Sequence, residues 1–342
     1  MANKKKDFEK IINAINVGND FSGVISIRLN GEIVYEKAFG YAERVNKRLN
    51  DVNTKFAIAS GTKFLTALAI GRLVDQGKVG LDSHAFDYID YDFPSYNKFI
   101  TIRDLLTHTS GIPDYFDEDK IEDIDNFTVE KSWSLMFKPQ DYFGIFPQDP
   151  MKNDPGEIFE YNNSGYIILA AIVAKISGIP YIDFVKKEIF DLCGMENSGF
   201  YPLDELPANT AIGYIETKGG YRTNILNLPM VGGGDGGAFT TVEDCYKLWD
   251  CFFSDVIISK QLVEIYTKPY SKVNDDIEDD TYYGHGIWMN CDKRSTCHLF
   301  IEGCDSGISF RSGYISERDM VYTIMSNTSD GVWSLIKPII SE

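Results

Sequence analysis

Histidine is scarce in this 342-residue chain, four in all, and its six cysteines include no C-x-x-C pair. Cys193, Cys245, Cys251, Cys291, Cys297 and Cys304 therefore form no zinc-ligand spacing with His84, His108, His285 and His298, and no metal or other cofactor is expected. Six cysteines are too few for a disulfide scaffold. Most are expected to be reduced core thiols, while Cys291 and Cys297 are spaced to close a hairpin disulfide in an oxidising compartment. Basic residues are also short, 33 against 51 acidic, and the formal charge of −18 opposes attraction to nucleic acid or anionic lipid. No long apolar run occurs. The strongest, Ile167 to Ala174, ends at Lys175 and is too short to span a bilayer. Met1 to Lys10 has a basic start but no apolar h-region or small-residue cleavage site. The chain as written thus reads as soluble and cytoplasmic, with an extracellular or envelope location if a signal has been removed.

What is present is the composition of a globular protein, 44% hydrophobic and 25% charged, long enough for a sizeable core. Phe8, Ile11, Ile12 and Ile15 recur at helical spacing and predict an opening amphipathic helix ending near Gly18. The apolar run Val24 to Leu29, then Asn30-Gly31, then Ile33 to Tyr35 predicts a hairpin on a two-residue turn. A helix is expected from Ser60 to Gln76, stopped by Gly77. Further helices are expected after the Thr101/Asp104 capping box, around Ile167 to Ile176 before Gly178, from Pro180 at N1, after Thr240, and from about Val332. Residues 118–150 show no period and predict an irregular surface excursion. Strand-like runs lie at 287–289, 308–310 and 320–325. Strands at both ends with helices between them predict an α/β (α+β) architecture: one sheet built from both termini, residues 1–80 and 205–342, with a mainly helical domain, 81–204, inserted.

Ser60-Gly61-Thr62-Lys63 places a hydroxyl and an ammonium one helical turn apart. A serine hydroxyl is a poor nucleophile without such a neighbour, and a helix N-terminus favours developing negative charge. The same S-x-x-K pattern occurs at Ser95/Lys98 and Ser334/Lys337, but only Ser60 ends an extended stretch and opens an apolar helix; alone, Ser60 reads equally as an N-cap. Tyr161-Asn162-Asn163 is the one Y-x-N in the chain. Tyr161 could act as a base if the charge of Lys63 lowered its pKa, and Asn163 could orient Lys63 and hold a substrate carbonyl. No G-x-S-x-G elbow exists.

The chain resembles the serine β-lactamase-related family, which includes class C β-lactamases, penicillin-binding DD-peptidases, family VIII carboxylesterases and D-aminopeptidases. The resemblance runs through Phe21 to Val24 with Ala38 to Tyr41, Phe56 to Asp82, Thr101 to Gly111, Pro155 to Met195, and Gly232 to Asp244. It implies a β-lactamase/transpeptidase-like fold with the site at the domain interface, an acylated Ser60, and proton transfer shared by Lys63 and Tyr161, either being the acylation base. His108 falls in a signature of structural character and is expected to be a satisfied core or cap residue.

The family's third element, K-[ST]-G or H-x-G, is absent. Its place is expected at Ile301-Glu302-Gly303, with a shift to Gly303-Cys304-Asp305 as the other register. In the first, the Cys304 backbone N–H would join that of Ser60 in an oxyanion hole. Ile301 lacks the charge that meets a substrate carboxylate. Glu302 in the cleft would favour an amine-bearing or neutral substrate; it could equally point away or pair with a cation. Cys304 is expected to be a buried small hydrophobe rather than a nucleophile. The reading is a serine hydrolase acting on an ester, amide or peptide, D-amino-acid and β-lactam compounds included, with a small-molecule or peptide partner and no nucleic acid. The alternative is a catalytically impaired ligand-binding or sensor protein.

Overall fold

The computed structural model describes residues 2–14, 21–275, 280–292 and 297–342. Its centre is an eight-stranded sheet: β1 (Gly23–Leu29), β2 (Glu32–Phe39), β3 (Ser271–Asp275), β4 (Asp280–Tyr283), β5 (Trp288–Cys291), β6 (Cys297–Asp305), β7 (Ile308–Ile315) and β8 (Met320–Ser326). The spatial order is β2-β1-β8-β7-β6-β5-β4-β3, every pairing antiparallel. Both chain ends therefore contribute, as expected, and β1 lies beside β8. The β1–β2 turn is formed by Asn30 at φ 50° and Gly31 at φ 76°, the left-handed pair that the strand twist requires.

β1 is buried on both faces, which explains its unbroken Val24 to Ile27 run in place of an alternating pattern. One face is covered by α1 (Ala2–Ala14) and by the C-terminal helix Trp333–Ser341; Phe8, Ile12, Leu335 and Ile339 pack there on Ile25, Ile27 and Ile324. Each such side chain stabilises the fold by about 2 kcal/mol through lost apolar hydration. The expected end of α1 near Gly18, like Ile15, lies outside the described residues. The other face carries α2 (Thr62–Asp75) and Val242–Phe253, the latter capped by Thr241.

Further from the sheet, α3 (Asn163–Ser177) is apolar on nearly all sides and buried from Asn163 to Val173, packing on α2 and ending at Gly178 with φ 74°. Residues 118–150 run irregularly through short 3-10 turns, as their sequence predicts. Two boundaries differ from expectation. Pro180 is the N-cap of Tyr181–Val185, one residue before N1. Ser60 sits in a tight turn, Ala59–Gly61, ahead of α2, because the Gly61 N–H bonds Ile58 O three residues back at 2.9 Å. Cys291 and Cys297 form a disulfide between β5 and β6. No single helix among the described residues is long and apolar enough to cross a membrane.

Candidate active site

The turn that presents Ser60 is wedged against β6 and β7. Ala59 is held at φ 43°, a left-handed conformation that costs an alanine about 1–2 kcal/mol and is repaid by its surroundings. Two glycines permit the approach. A Cβ at Gly61 would stand 2.6 Å from the Phe310 ring, and one at Gly303 would stand 2.3 Å from Ile58 O and 2.5 Å from Ser60 N. Gly303 is thus the close-approach glycine of the strand, which fits the register Ile301-Glu302-Gly303.

Lys63 is 1% exposed. Its Nζ lies 3.0 Å from Ser60 Oγ, 2.6 Å from Asn163 Oδ1 and 2.9 Å from Asp235 O. Burial pulls its pKa down, opposed by the carboxylates of Asp235, Glu118, Asp114 and Asp305. Asn163 is the first residue of α3, and Asp114 fixes it: Asp114 Oδ2 accepts from Asn163 N at 2.7 Å and Nδ2 at 3.1 Å, while Oδ1 accepts from Ser164 N at 2.8 Å and Oγ at 2.9 Å. A carboxylate at a helix start satisfies otherwise unpaired N–H groups there.

The Tyr161 hydroxyl is near enough to Ser60 for the serine to oppose the rise in its pKa, and Lys63 Nζ is 4.8 Å from its ring centroid. The ring stacks on Trp288 at 5.9 Å and lies 4.4 Å from His108. Burial, then the charge of Glu118, pushes the Tyr161 hydroxyl well above the usual phenol range, against the lowering expected for a tyrosinate base. His108 is buried, with Nδ1 accepting from Asn162 N at 3.0 Å and Nε2 unpartnered; burial and the Lys63 charge keep it neutral. Ser60, Lys63, Tyr161 and Asn163 therefore converge.

On the strand side, Glu302 takes the second of the two placements that the sequence leaves open. Side chains alternate along β6, so with Gly303 against Ser60, Glu302 projects from the opposite face. Its Oε2 accepts from Arg311 Nη1 at 2.8 Å, and Arg311 in turn covers the Phe300 ring at 3.6 Å. The carboxylate is committed to that ion pair and not to the cleft, so the candidate substrate-orienting role of Glu302 falls away. Ile301 is buried in the core. Cys304 Sγ donates to Ser329 O at 3.6 Å, and burial with the nearby Asp305 charge raises its pKa to about 12, which keeps it a thiol. Since β5 begins only at Trp288, opposite Phe300, residues 301–305 have no strand neighbour on that edge among the described residues, and the edge faces the Ser60 turn.

In front of Ser60 lies a pocket open to solvent and walled by Tyr115, Phe116, Trp133 and Tyr142. Asp235 and Asp305 line it; the sequence names Asp305 only as the end of the shifted register and gives Asp235 no role. Asp235 lies within the Gly232 to Asp244 stretch, where an acid among five glycines was the available signal. Asp114 likewise carries no motif of its own, although it follows Thr101 to Gly111 by three residues.

A family model described as Beta-lactamase matches residues 8–336. The chain belongs to the beta-lactamase family. Within this family it is 33% identical over 273 residues to the protein named "Putative penicillin-binding protein PbpX" of Bacillus subtilis, covering 79% of this chain and 62% of that one. It thus spans less than two thirds of that relative's length. A penicillin binding protein from Bacillus halodurans of known crystal structure is 33% identical, with a TM-score of 0.90 over 98% of this chain and 99% of that one. The D-amino acid amidase of Ochrobactrum anthropi, 22% identical, shares the fold at a TM-score of 0.78 over 97% of each chain. The β-lactamase/transpeptidase-like architecture expected from the sequence is therefore the one this beta-lactamase family member has.

Proposed function

We propose that this chain is a serine hydrolase that forms an acyl-enzyme on Ser60 from an ester, amide or peptide, D-amino-acid and β-lactam compounds included. The observation that carries the reading is the set of three partners on Lys63 Nζ. Asn163 Oδ1 and Asp235 O can only accept, and they use two N–H bonds of a neutral amine. The remaining lone pair then faces Ser60 Oγ, the one partner able to donate. Burial, which lowers the lysine pKa, supports the same state.

In this reading Lys63 is the general base. The Ser60 Oγ proton passes to Nζ as Oγ bonds the substrate carbonyl carbon, and the oxyanion is met by the Ser60 and Cys304 backbone N–H groups. Tyr161, held protonated by its surroundings, gives its proton to the departing oxygen or nitrogen and recovers one from Lys63. Water then cleaves the acyl ester, regenerating the Ser60 hydroxyl. The disulfide supports an oxidising compartment. The alternative, a sensor that binds ligand without turnover, rests on Ile301, an alkyl chain where the family's cation is expected.

Intact-protein mass spectrometry after incubation with a penicillin and a panel of activated esters tests the proposal. A mass increase equal to the acyl group is expected in the wild type and absent in Ser60→Ala. An adduct that persists in Ser60→Ala overturns the nucleophile, and an adduct that never hydrolyses moves the assignment to the sensor.

A further inference from the structure

Lys63 Nζ gives its hydrogen bonds to two acceptors of different kinds. Asn163 Oδ1 belongs to the start of α3, which Asp114 fixes through Asn163 and Ser164. Asp235 O belongs to a loop, Gly232-Gly233-Gly234-Asp235-Gly236-Gly237, that forms neither helix nor strand. Glycine has more backbone freedom than any other residue, so a carbonyl in such a run keeps one direction only where its surroundings impose it.

The loop is folded back on itself and seated between α2 and α3. A Cβ at Gly237, where φ is 91°, would stand 2.4 Å from Gly232 Cα, and one at Gly234 would stand 2.2 Å from Tyr166 O and 2.5 Å from Ala170 Cβ on α3. From α2, Thr66 Oγ1 donates to Gly234 O at 2.5 Å and Thr62 Oγ1 accepts from Ala238 N at 3.1 Å. Thr62, Lys63 and Thr66 thus meet one loop from the start of one helix. The two threonines hold it on either side of Asp235.

Asp235 itself is held through its side chain. It is buried, and its Oδ2 accepts from Tyr115 Oη at 2.5 Å. The Tyr115 ring is fixed in turn, stacked on Phe146 at 5.8 Å and edge-on to Tyr142 at 5.6 Å, while its backbone N–H donates to Ser164 Oγ at 3.0 Å. Asp114 and Tyr115 are neighbours in the chain, and each fixes one of the two acceptors of Lys63.

We infer that Tyr115 and the Asp235 carboxyl group form a clamp that aims Lys63: the hydrogen bond between them keeps the Asp235 carbonyl on Nζ, as Asp114 keeps the Asn163 amide there. Tyr115 and Asp235 are positioning residues and act through Lys63. With both acceptors in place, the two N–H bonds of the neutral amine are taken and its lone pair is directed at Ser60 Oγ. With Asp235 O released, an N–H turns toward Oγ and the proton to be moved meets no base. The inference rests on Lys63 as the base for Ser60 acylation and adds the device that orients it.

The test separates rate from binding. First-turnover release of 4-nitrophenolate from 4-nitrophenyl acetate, followed by stopped flow on the plateau of the pH profile, gives the acylation rate constant and the substrate dissociation constant. Tyr115→Phe keeps the ring packing and loses the hydroxyl; its acylation rate constant is expected to fall about 10²-fold, the effect of a displacement of about 1 Å, with the dissociation constant within about twofold of wild type. Asp235→Ala serves as a second variant with the same loss, and the double variant is expected to be no slower than either single one, because the clamp is broken once. Asp235→Asn keeps an acceptor for Tyr115 Oη and is expected to hold the rate constant to within about fivefold, the difference reflecting the basicity lost with the charge. A wild-type rate constant in Tyr115→Phe overturns the clamp, as does a loss confined to the dissociation constant, which would make Tyr115 a wall of the pocket. Additive losses in the double variant, or a loss in Asp235→Asn as deep as in Tyr115→Phe, overturn it too. Ser60 acylation stands in each of those cases. A wild type that releases no more 4-nitrophenolate than Ser60→Ala overturns the acylation reading and this inference with it.

Discussion

Gly303 lies against Ser60 so closely that a Cβ on it would stand 2.5 Å from the Ser60 backbone nitrogen. That nitrogen is one of the two N–H groups assigned to the oxyanion, so the contact sets the width of the hole. Gly303→Ala must push β6 away from the turn, since the atoms it meets are backbone. We expect kcat/KM on an activated ester to fall about 10²- to 10³-fold, the effect of losing one oxyanion donor. The accompanying loss of stability should be about 1–3 kcal/mol, the usual cost of overpacking. Unchanged kcat/KM in a folded variant would remove this edge from the oxyanion assignment.

The base assignment predicts the shape of the pH profile. If neutral Lys63 accepts the Ser60 proton, kcat/KM for a neutral ester rises with pH through the lowered lysine pKa. The charges facing Nζ are Asp235, Glu118, Asp114 and Asp305, with the Tyr161 phenol and the neutral His108 beside it. Removing a carboxylate destabilises the ammonium, so Glu118→Gln should move the rising limb to lower pH. A limb that moves to higher pH, or stays in place, contradicts lysine as the base.

Glu302 provides a stability prediction in place of a specificity one. Its side chain is 26% exposed and that of Arg311 11%, so the pair is largely shielded from water. Glu302→Gln leaves Arg311 without its counter-charge and should cost about 1–3 kcal/mol, discounted for the remaining solvent access. In a chain of this size that lowers the melting midpoint by roughly 2–5 °C. Acyl-group preference should not change, because the side chain is on the far face of β6. A reversed preference between cationic and anionic esters would return Glu302 to the cleft.

Much of this was legible in local pattern. The Asn30-Gly31 turn, the α2 and α3 runs stopped by Gly77 and Gly178, and the Thr101/Asp104 capping box each depend on residues a few positions apart, and each is found in place. The Ser60/Lys63 pairing is a one-turn relationship of the same kind. β3 was not legible, since Ser271–Asp275 is a polar edge strand without apolar alternation. Asp114 and Asp235 were missed because their partners are distant in sequence, 49 residues to Asn163 and 120 to Tyr115. The face taken by Glu302 depends on strand parity, which nothing fixes until Gly303 is seen against Ser60. Cys291 and Cys297 could be spaced from sequence but paired only by register.

His285 makes acid stability testable at a site remote from Ser60. It is fully buried, stacked on Tyr266 at 5.2 Å, and its Nε2 accepts from Arg103 Nη1 at 3.1 Å; Arg103 is itself tied to Asp82 at 2.8 Å. Burial first, then the Arg103 charge, lowers its pKa to about 3. In the unfolded chain the same residue takes up its proton near pH 6.5. The unfolded state therefore binds one more proton between about 6.5 and 3, and stability that is complete above 6.5 is lost as pH falls through that window. The slope from one such group is about 1.4 kcal/mol per pH unit. Half-buried His298, also lowered to about 3, and buried His108 add slopes of the same sign. His285→Gln keeps an acceptor for Arg103 and cannot titrate. Urea unfolding at pH 6, 5.5 and 5 should show a pH slope shallower than wild type by about 1.4 kcal/mol per unit, since the raised carboxylates such as Asp305 act equally on both proteins. Parallel slopes would mean that His285 is charged in the fold and that Arg103 does not donate to it.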